Sequence, residues 1–183
     1  MIFTDWETGN LIPQDDTTSI VQGLKTVSDL GPYWHFYQAD DVNTPNALAN
    51  QIVYQTQSWF CRPDGTTGAV LWASTTLFPG DVNGEFFMTR GHFHTQPTHG
   101  ELIIVAKGKG LLLLADRLGN QSSVDLAPGV TYYIDGTLAH RTINTGIEPL
   151  IFWCSWPADC GHDYESIESG TVFQPVLKSS HKA

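Results

Sequence analysis

The chain has 183 residues, 41% of them hydrophobic and 15% charged, with six Trp, six Tyr and nine Phe. That length suits one domain able to bury a core without a disulfide scaffold, and the aromatic-rich composition excludes a disordered chain. Nine basic residues against nineteen acidic ones leave a net charge of −10, which argues against nucleic acid and anionic membrane surfaces as partners, since both are held by Lys and Arg meeting phosphates.

The chain reads as a single domain over 1–183, in three stretches: an N-terminal arm (1–50), a barrel (about 51–156) and a C-terminal extension (157–183). The first fifty residues are polar and predict an arm with short helices over 19–30 and 45–53. Thr44-Pro45 would be the cap and first residue of the second helix. Asp15-Asp16 and Asp40-Asp41 read as solvated pairs, and His35 and His181 carry no pattern. Asp5 and Glu7 stand where a secretory leader would be basic, and no apolar run reaches the roughly 18 residues of a membrane span. The expected compartment is the cytoplasm.

From about residue 51 short aromatic and aliphatic runs succeed one another: IVYQT, AVLWASTTLF, EFFMTRGHFH, ELIIVA, GLLLLADR, SSVDLA, VTYYI, AHRTIN and PLIFWCSW. Turn signals separate them, among them Pro79-Gly80, Asn83-Gly84, Gly119-Asn120 and Pro128-Gly129. Gly108-Lys109-Gly110 reads as a hairpin turn rather than a phosphate loop. Many short strands with no alternating helices predict an all-β antiparallel jelly roll. Cys61, Cys154 and Cys160 cannot build a framework of bridges, and Cys154, inside an apolar run, reads as a core thiol.

The chemistry concentrates in Gly91-His92-Phe93-His94, Glu101 and His140. On a strand His92 and His94 project to one face while Phe93 faces the other. TQPTHG then reads as a loop, with His99 a solvated residue or a lid contact, and Glu101 opens a strand that can return alongside the first. His140 would close the set from the opposite side. Three imidazoles and one carboxylate suit a divalent first-row metal such as Fe, Mn, Ni or Zn rather than Mg or Ca. Without further context His92 and His94 would read as polar residues on a solvent-facing strand.

The segments ELIIVAKGKG and AHRTIN, the latter preceded by Pro128-Gly129, resemble the two cupin motifs. The six residues between His94 and Glu101 exceed the usual cupin spacing, and Asp135 and Thr137 stand where Pro and Gly are common. With TTLFPGDVNGEFFMTRGHFH, VAKGKGLLLL, AHRTINTGIEPLIF and WPADCGHDYESI, the stretch 68–167 is similar to the cupin-type, metal-dependent glucose-6-phosphate isomerases.

That resemblance implies a cupin barrel, one divalent metal per subunit (Fe2+ or Mn2+ favoured, Ni2+ or Zn2+ admissible) held by His92, His94, Glu101 and His140, and a homodimer. It also implies a sugar-phosphate substrate contacted by Tyr54, Thr75, Thr89, Gly91 and His162, the last of which reads equally as a satisfied structural histidine, with Glu101 as catalytic base. Proton transfer needs such a base and stabilisation of an enediolate; a hydride shift would leave Glu101 as ligand and positioner. Thr89 and Gly91 are out of phase with His92 and need backbone contacts or a bulge to reach the same side. Arg90 has the right phase, either to assist electrostatically or to form a structural ion pair. Ile103, Thr137 and Trp156 depart from tyrosines in better-known members, so another sugar phosphate is an alternative substrate. An iron-dependent cupin dioxygenase and a non-catalytic sugar-binding cupin are further alternatives.

Overall fold

Apolar residues alternating between glycine- and proline-bearing turns favour strands that bury one face, and the computed structural model, which describes residues 1–16, 18–37, 46–168 and 172–180, is built almost wholly of them. The strands are β1 (Ile2–Thr4), β2 (Leu11–Pro13), β3 (Val21–Thr26), β4 (Ile52–Trp59), β5 (Val70–Leu77), β6 (Asp81–Val82), β7 (Glu85–Phe86) and β8 (Phe93–His94). They continue as β9 (Glu101–Lys107), β10 (Gly110–Ala115), β11 (Gln121–Leu126), β12 (Thr131–Ile134), β13 (Ala139–Asn144), β14 (Leu150–Pro157) and β15 (His162–Asp163). All their pairings are antiparallel. A six-stranded sheet runs β12-β9-β14-β5-β4-β3 and a three-stranded one β11-β10-β13. This is the cupin jelly roll expected from the sequence. No helix among the described residues is long and apolar enough to cross a membrane.

Strand parity aims side chains at the space between the sheets. In β9 Glu101, Ile103 and Val105 are buried while Leu102, between them, is exposed. In β13 His140 and Thr142 line the interior cavity, whereas Arg141 turns outwards beneath Phe173, whose ring centroid lies 4.7 Å from its guanidinium carbon. The two ends of the chain cover the outer faces. The β1–β2 hairpin lays Leu11 against Ile151 and Trp153, with the Trp6 ring tilted at 54° and its centroid 4.3 Å from that of Trp153. The C-terminal stretch docks by Gln174 N donating to Gln121 Oε1 at 2.9 Å. The hairpin thereby buries the outward Ile151 and Trp153 of β14.

Four sequence expectations change. Residues 19–30 form not a helix but β3 followed by a 3-10 helix over Ser28–Tyr33. Gly23 lies so close to Thr56 of β4 that a Cβ would overlap its Oγ1, and this cross-strand approach overrides a weak helical period. Of 45–53, only the single turn Asn46–Ala49 is helical before β4 begins at Ile52; the Thr44-Pro45 cap, Asp40-Asp41 and His181 lie outside the described residues. Gly108-Lys109-Gly110 is no hairpin, because β9 and β10 belong to different sheets. The bend uses Gly108 at φ +82° to carry the chain across. Finally, EFFMTRGHFH is not one strand: pairing stops after Phe86 and resumes at Phe93, with isolated bridges at Met88 and His92 between.

Candidate metal and substrate site

His92, His94, Glu101 and His140 come together as a cluster whose ligand atoms all lie within 4.8 Å of one another. The route differs from the simple strand picture. β9 does not return alongside β8, which pairs instead with β15 through His94 opposite His162. His140 does not close the set from across the barrel, since it is bridged directly to His92. The group from the opposite sheet is Glu101, at the first position of β9. The imidazoles are close, with ring centroids 4.3 Å apart for His92 and His140 and 5.4 Å for His92 and His94.

Nε2 of His94 and of His140 lie 3.5 and 3.4 Å from Glu101 Oε2. These are too long for strong charge-assisted hydrogen bonds. Nε2 of His92, His94 and His140 are all buried without a hydrogen-bond partner among the described residues, a costly arrangement unless something else binds them. On the far side of its ring, His94 Nδ1 meets the His99 carbonyl oxygen at 2.5 Å. Donation to that carbonyl puts the proton on Nδ1 and leaves Nε2 a lone pair directed at the cluster, the usual outer support of a metal-binding histidine. The long loop between His94 and Glu101 thus supplies the acceptor. It is anchored by Gln96 N donating to Cys160 O at 2.8 Å, and the His99 ring stands 3.8 Å from Asp159 rather than free in solvent.

Burial alone would raise the Glu101 carboxyl, but His140, His94 and His92 outweigh it and hold the group well below the ordinary carboxylate range. Burial first, then His140, pushes His92 well below its usual value. An ionised carboxylate with three imidazole nitrogens is a donor set that fits a divalent first-row metal ion.

A cavity of about 420 Å3 opens from this cluster, lined among others by Tyr54, Thr75, Thr89, Gly91, His92, Glu101, His140 and His162. That volume lies within the range of small-ligand sites, roughly 300–1,000 Å3. His94 sits behind the lining, its side chain wholly buried. The phase problem at Thr89 and Gly91 is resolved locally: Gly91 takes φ +74°, which swings the chain. Thr142 N donates to Thr89 Oγ1 at 3.0 Å, leaving that hydroxyl's own proton for another acceptor. Burial pushes the Tyr54 phenol up to about 12, so it remains a neutral donor. Burial chiefly also lowers the His162 imidazole.

Arg90 lines the same cavity without an ion pair among the described residues; its guanidinium carbon stands 3.2 Å from the Tyr164 ring centroid and 6.0 Å from that of Tyr33. Of its five potential donors, Nε is buried without a partner among the described residues. Ile103 and Trp156 line the cavity, Trp156 with a buried Nε1 that has no partner among the described residues, whereas Thr137 bonds to Asp135 in an exposed turn and is not among the lining. Sequence reasoning missed Tyr164, two residues after His162, although its ring stacks on that histidine at an interplanar angle of 8°. It also placed Cys154 simply in the core, while the thiol lines the cavity beside Glu101. His35, patternless in sequence, bonds to Glu85 at 2.8 Å.

Residues 25–175 match a family model described as glucose-6-phosphate isomerase. Curated glucose-6-phosphate isomerases are similar along most of their length. That of Thermococcus kodakarensis is 38% identical over 90% of this chain and 86% of its own. Those of Pyrococcus horikoshii and Pyrococcus furiosus are 46% and 44% identical, each over 91% of this chain and 88% of their own.

Proposed function

The chain belongs to the cupin-type glucose-6-phosphate isomerase family, and from that membership we propose that its cavity interconverts glucose 6-phosphate and fructose 6-phosphate with a bound divalent metal. The observation that carries the reading is the convergence of His92, His94, Glu101 and His140 at a cavity that also presents the neutral donors Tyr54, Thr75 and Thr89 and the cations Arg90 and Lys25. Fe2+ or Mn2+ is the favoured ion on chemical grounds, with Ni2+ and Zn2+ as alternatives. Held by those four residues, the ion supplies a Lewis acid for the oxygens at C1 and C2.

The remaining work falls to the chain. The hydroxyls of Tyr54, Thr75 and Thr89, with the backbone at Gly91, cradle the phosphate as oriented dipoles. Arg90, with Lys25 also on the cavity wall, adds full positive charge beside them, which lets a protein of net charge −10 bind an anion. Tyr164 and His162, stacked on each other, wall the sugar and limit water. Glu101, kept ionised, accepts the proton at C2 of the aldose and returns it at C1, one carboxylate serving both carbons because they are adjacent, while the hydroxyl proton of O2 passes to O1 to complete the exchange. In a hydride shift the same residue only orients the sugar.

Three free thiols, Cys61, Cys154 and Cys160, suit the reducing cytoplasm. Exposed Phe3, Trp6 and Ile12 on the N-terminal hairpin are apolar surface suited to a homodimer contact. The deciding experiment strips metal with a chelator, re-supplies Fe, Mn, Ni and Zn separately, and follows glucose 6-phosphate formed from fructose 6-phosphate. Metal-restored turnover is expected; confirmed metal uptake without turnover would overturn the substrate.

A further inference from the structure

One peptide of the phosphate cradle carries no ladder bond of its own. On either side the main chain is fixed: Thr89 N donates to Thr142 O at 2.8 Å, and His92 and His140 exchange backbone hydrogen bonds. Between them the N–H groups of Arg90 and Gly91 find no main-chain acceptor among the described residues. What holds the Arg90–Gly91 peptide is a side chain. Arg141 donates to Arg90 O from Nε at 3.2 Å and from Nη2 at 2.9 Å.

That arginine plays no part in the reaction above. It is 3% exposed and alternates along β13 with His140 and Thr142, which line the cavity while Arg141 does not. Its guanidinium carbon lies 4.7 Å from the Phe173 ring centroid, and the Phe173 carbonyl meets His35 Nε2 at 2.9 Å. A guanidinium stays charged near neutral pH and only donates. Packed beneath that ring, it draws the Arg90 carbonyl outwards through a charge-assisted, two-pronged contact.

The consequence follows from peptide geometry. A trans peptide is planar, with its C=O and N–H pointing opposite ways, and the Arg90–Gly91 bond is trans. With the carbonyl drawn out towards Arg141, the Gly91 N–H is directed into the cavity, whose wall includes Arg90 and Gly91. Glycine does not make that choice by itself, because it populates positive and negative φ about equally. Turning the peptide over changes chiefly ψ of Arg90 and φ of Gly91, as between turn types I and II. The φ of +74° at Gly91 belongs to one of these two orientations. The other would aim the carbonyl oxygen, the negative end of the dipole, at the phosphate.

We propose that Arg141 is a positioning residue for phosphate binding: its two bonds to Arg90 O lock the Arg90–Gly91 peptide so that the Gly91 N–H faces the phosphate of the substrate. The inference rests on the phosphate cradle assigned above. A donor fixed beforehand loses no freedom when the anion arrives, and the buried charge behind the carbonyl polarises the peptide and strengthens its N–H.

The test compares wild type, Arg141→Met and Arg141→Lys. KM and kcat for fructose 6-phosphate are measured on the Mn2+-loaded proteins. The Gly91 amide signal is followed by NMR on the Zn2+-loaded proteins as inorganic phosphate is added, so that binding is read at this peptide. Arg141→Met is expected to raise KM about 10- to 100-fold, the size of one hydrogen bond to a charged group, with kcat nearly unchanged. The Gly91 signal should lose its response at phosphate concentrations that saturate wild type. Arg141→Lys keeps the charge and a donor without the fork, so it should recover part of the KM and of the response. It carries the same test where Arg141→Met folds poorly.

Wild-type KM and Gly91 response in both variants would overturn the proposal. So would a fall in kcat at unchanged KM, or a raised KM with a wild-type Gly91 response, since Arg141 would then act through packing. A wild-type Gly91 signal indifferent to phosphate would overturn it as well, even with full turnover. If wild type responds to phosphate but turns over no fructose 6-phosphate, only the substrate reading falls, and the phosphate titrations still decide the place of Arg141.

Discussion

His92 and His140 exchange both of their backbone hydrogen bonds, His92 N to His140 O at 3.2 Å and His140 N to His92 O at 3.1 Å. Two of the four clustered side chains are thus fixed to each other through main chain. The ladder is short: β8 begins at Phe93, and the chain before it is held by another isolated bridge, Met88 to Ile143, by Thr89 N donating to Thr142 O at 2.8 Å and by the Arg141 guanidinium donating to Arg90 O. What lets the chain enter this bridge is Gly91, at φ +74°.

Gly91→Ala should therefore disturb the site through the backbone. An added Cβ would lie 2.8 Å from His140 O and 3.0 Å from Arg141 Cβ, and the left-handed backbone alone costs about 1–2 kcal/mol for a residue with a side chain. The expected outcome is a fall in urea-denaturation stability of at least that size, with reduced metal content in the purified protein. Unchanged stability would mean that the bridge tolerates the extra carbon.

Glu101→Gln keeps the shape and removes the charge. Loss of a base or charged ligand at the reacting carbons should lower kcat by about 10²–10⁴, with the fold retained by circular dichroism. Full activity and full metal content together would remove Glu101 from the mechanism.

Arg90→Met keeps the length that packs on Tyr164 and deletes the cation. A charge-assisted contact contributes about 1.5–3 kcal/mol, so KM for fructose 6-phosphate should rise roughly 10- to 100-fold by the same principle. Inhibition by inorganic phosphate should weaken in parallel. If KM stays put while stability drops, Arg90 is only a packing cation.

His35 sets a pH dependence of stability. Its Nδ1 meets Glu85 Oε1 at 2.8 Å and its Nε2 meets the Phe173 carbonyl at 2.9 Å. A neutral ring has a single N–H, so two acceptors favour the protonated form. The hydrogen bond His35 donates to Glu85 raises its value against burial and against nearby Arg141. A pKa raised on folding makes the contribution complete below the unfolded value, about 6.5, and lost as pH climbs through the folded one. His35→Gln should cost on the order of 1–2 kcal/mol at about pH 6, and the gap from wild type should shrink by about pH 9. A gap that widened with pH would contradict this.

How much was legible in the sequence follows from how local the signal is. Strands β9, β10, β12 and β14 are largely runs of apolar and aromatic residues between turn formers, and such a pattern is written in consecutive residues. The expected four-residue cluster needed only strand alternation and two spaced motifs. Residues 19–30 misread because a weak helical period competes with pairing to β4, and that partner lies some thirty residues away in the chain.

The sequence by itself determined an all-β chain, an acidic surface unsuited to polyanions, and a set of three histidines and a glutamate, because side-chain chemistry and period-two patterning depend only on neighbours. Tertiary structure decided which strands meet. It put His140 beside His92 rather than across from it, let the His99 carbonyl hold His94, and stacked Arg90 on Tyr164. It also turned Cys154 from a core thiol into a neighbour of Glu101. Each of these is a contact between residues distant in the chain or a backbone group in a particular turn, and such contacts are chosen by the closure of two sheets over one core, not by any short stretch of sequence.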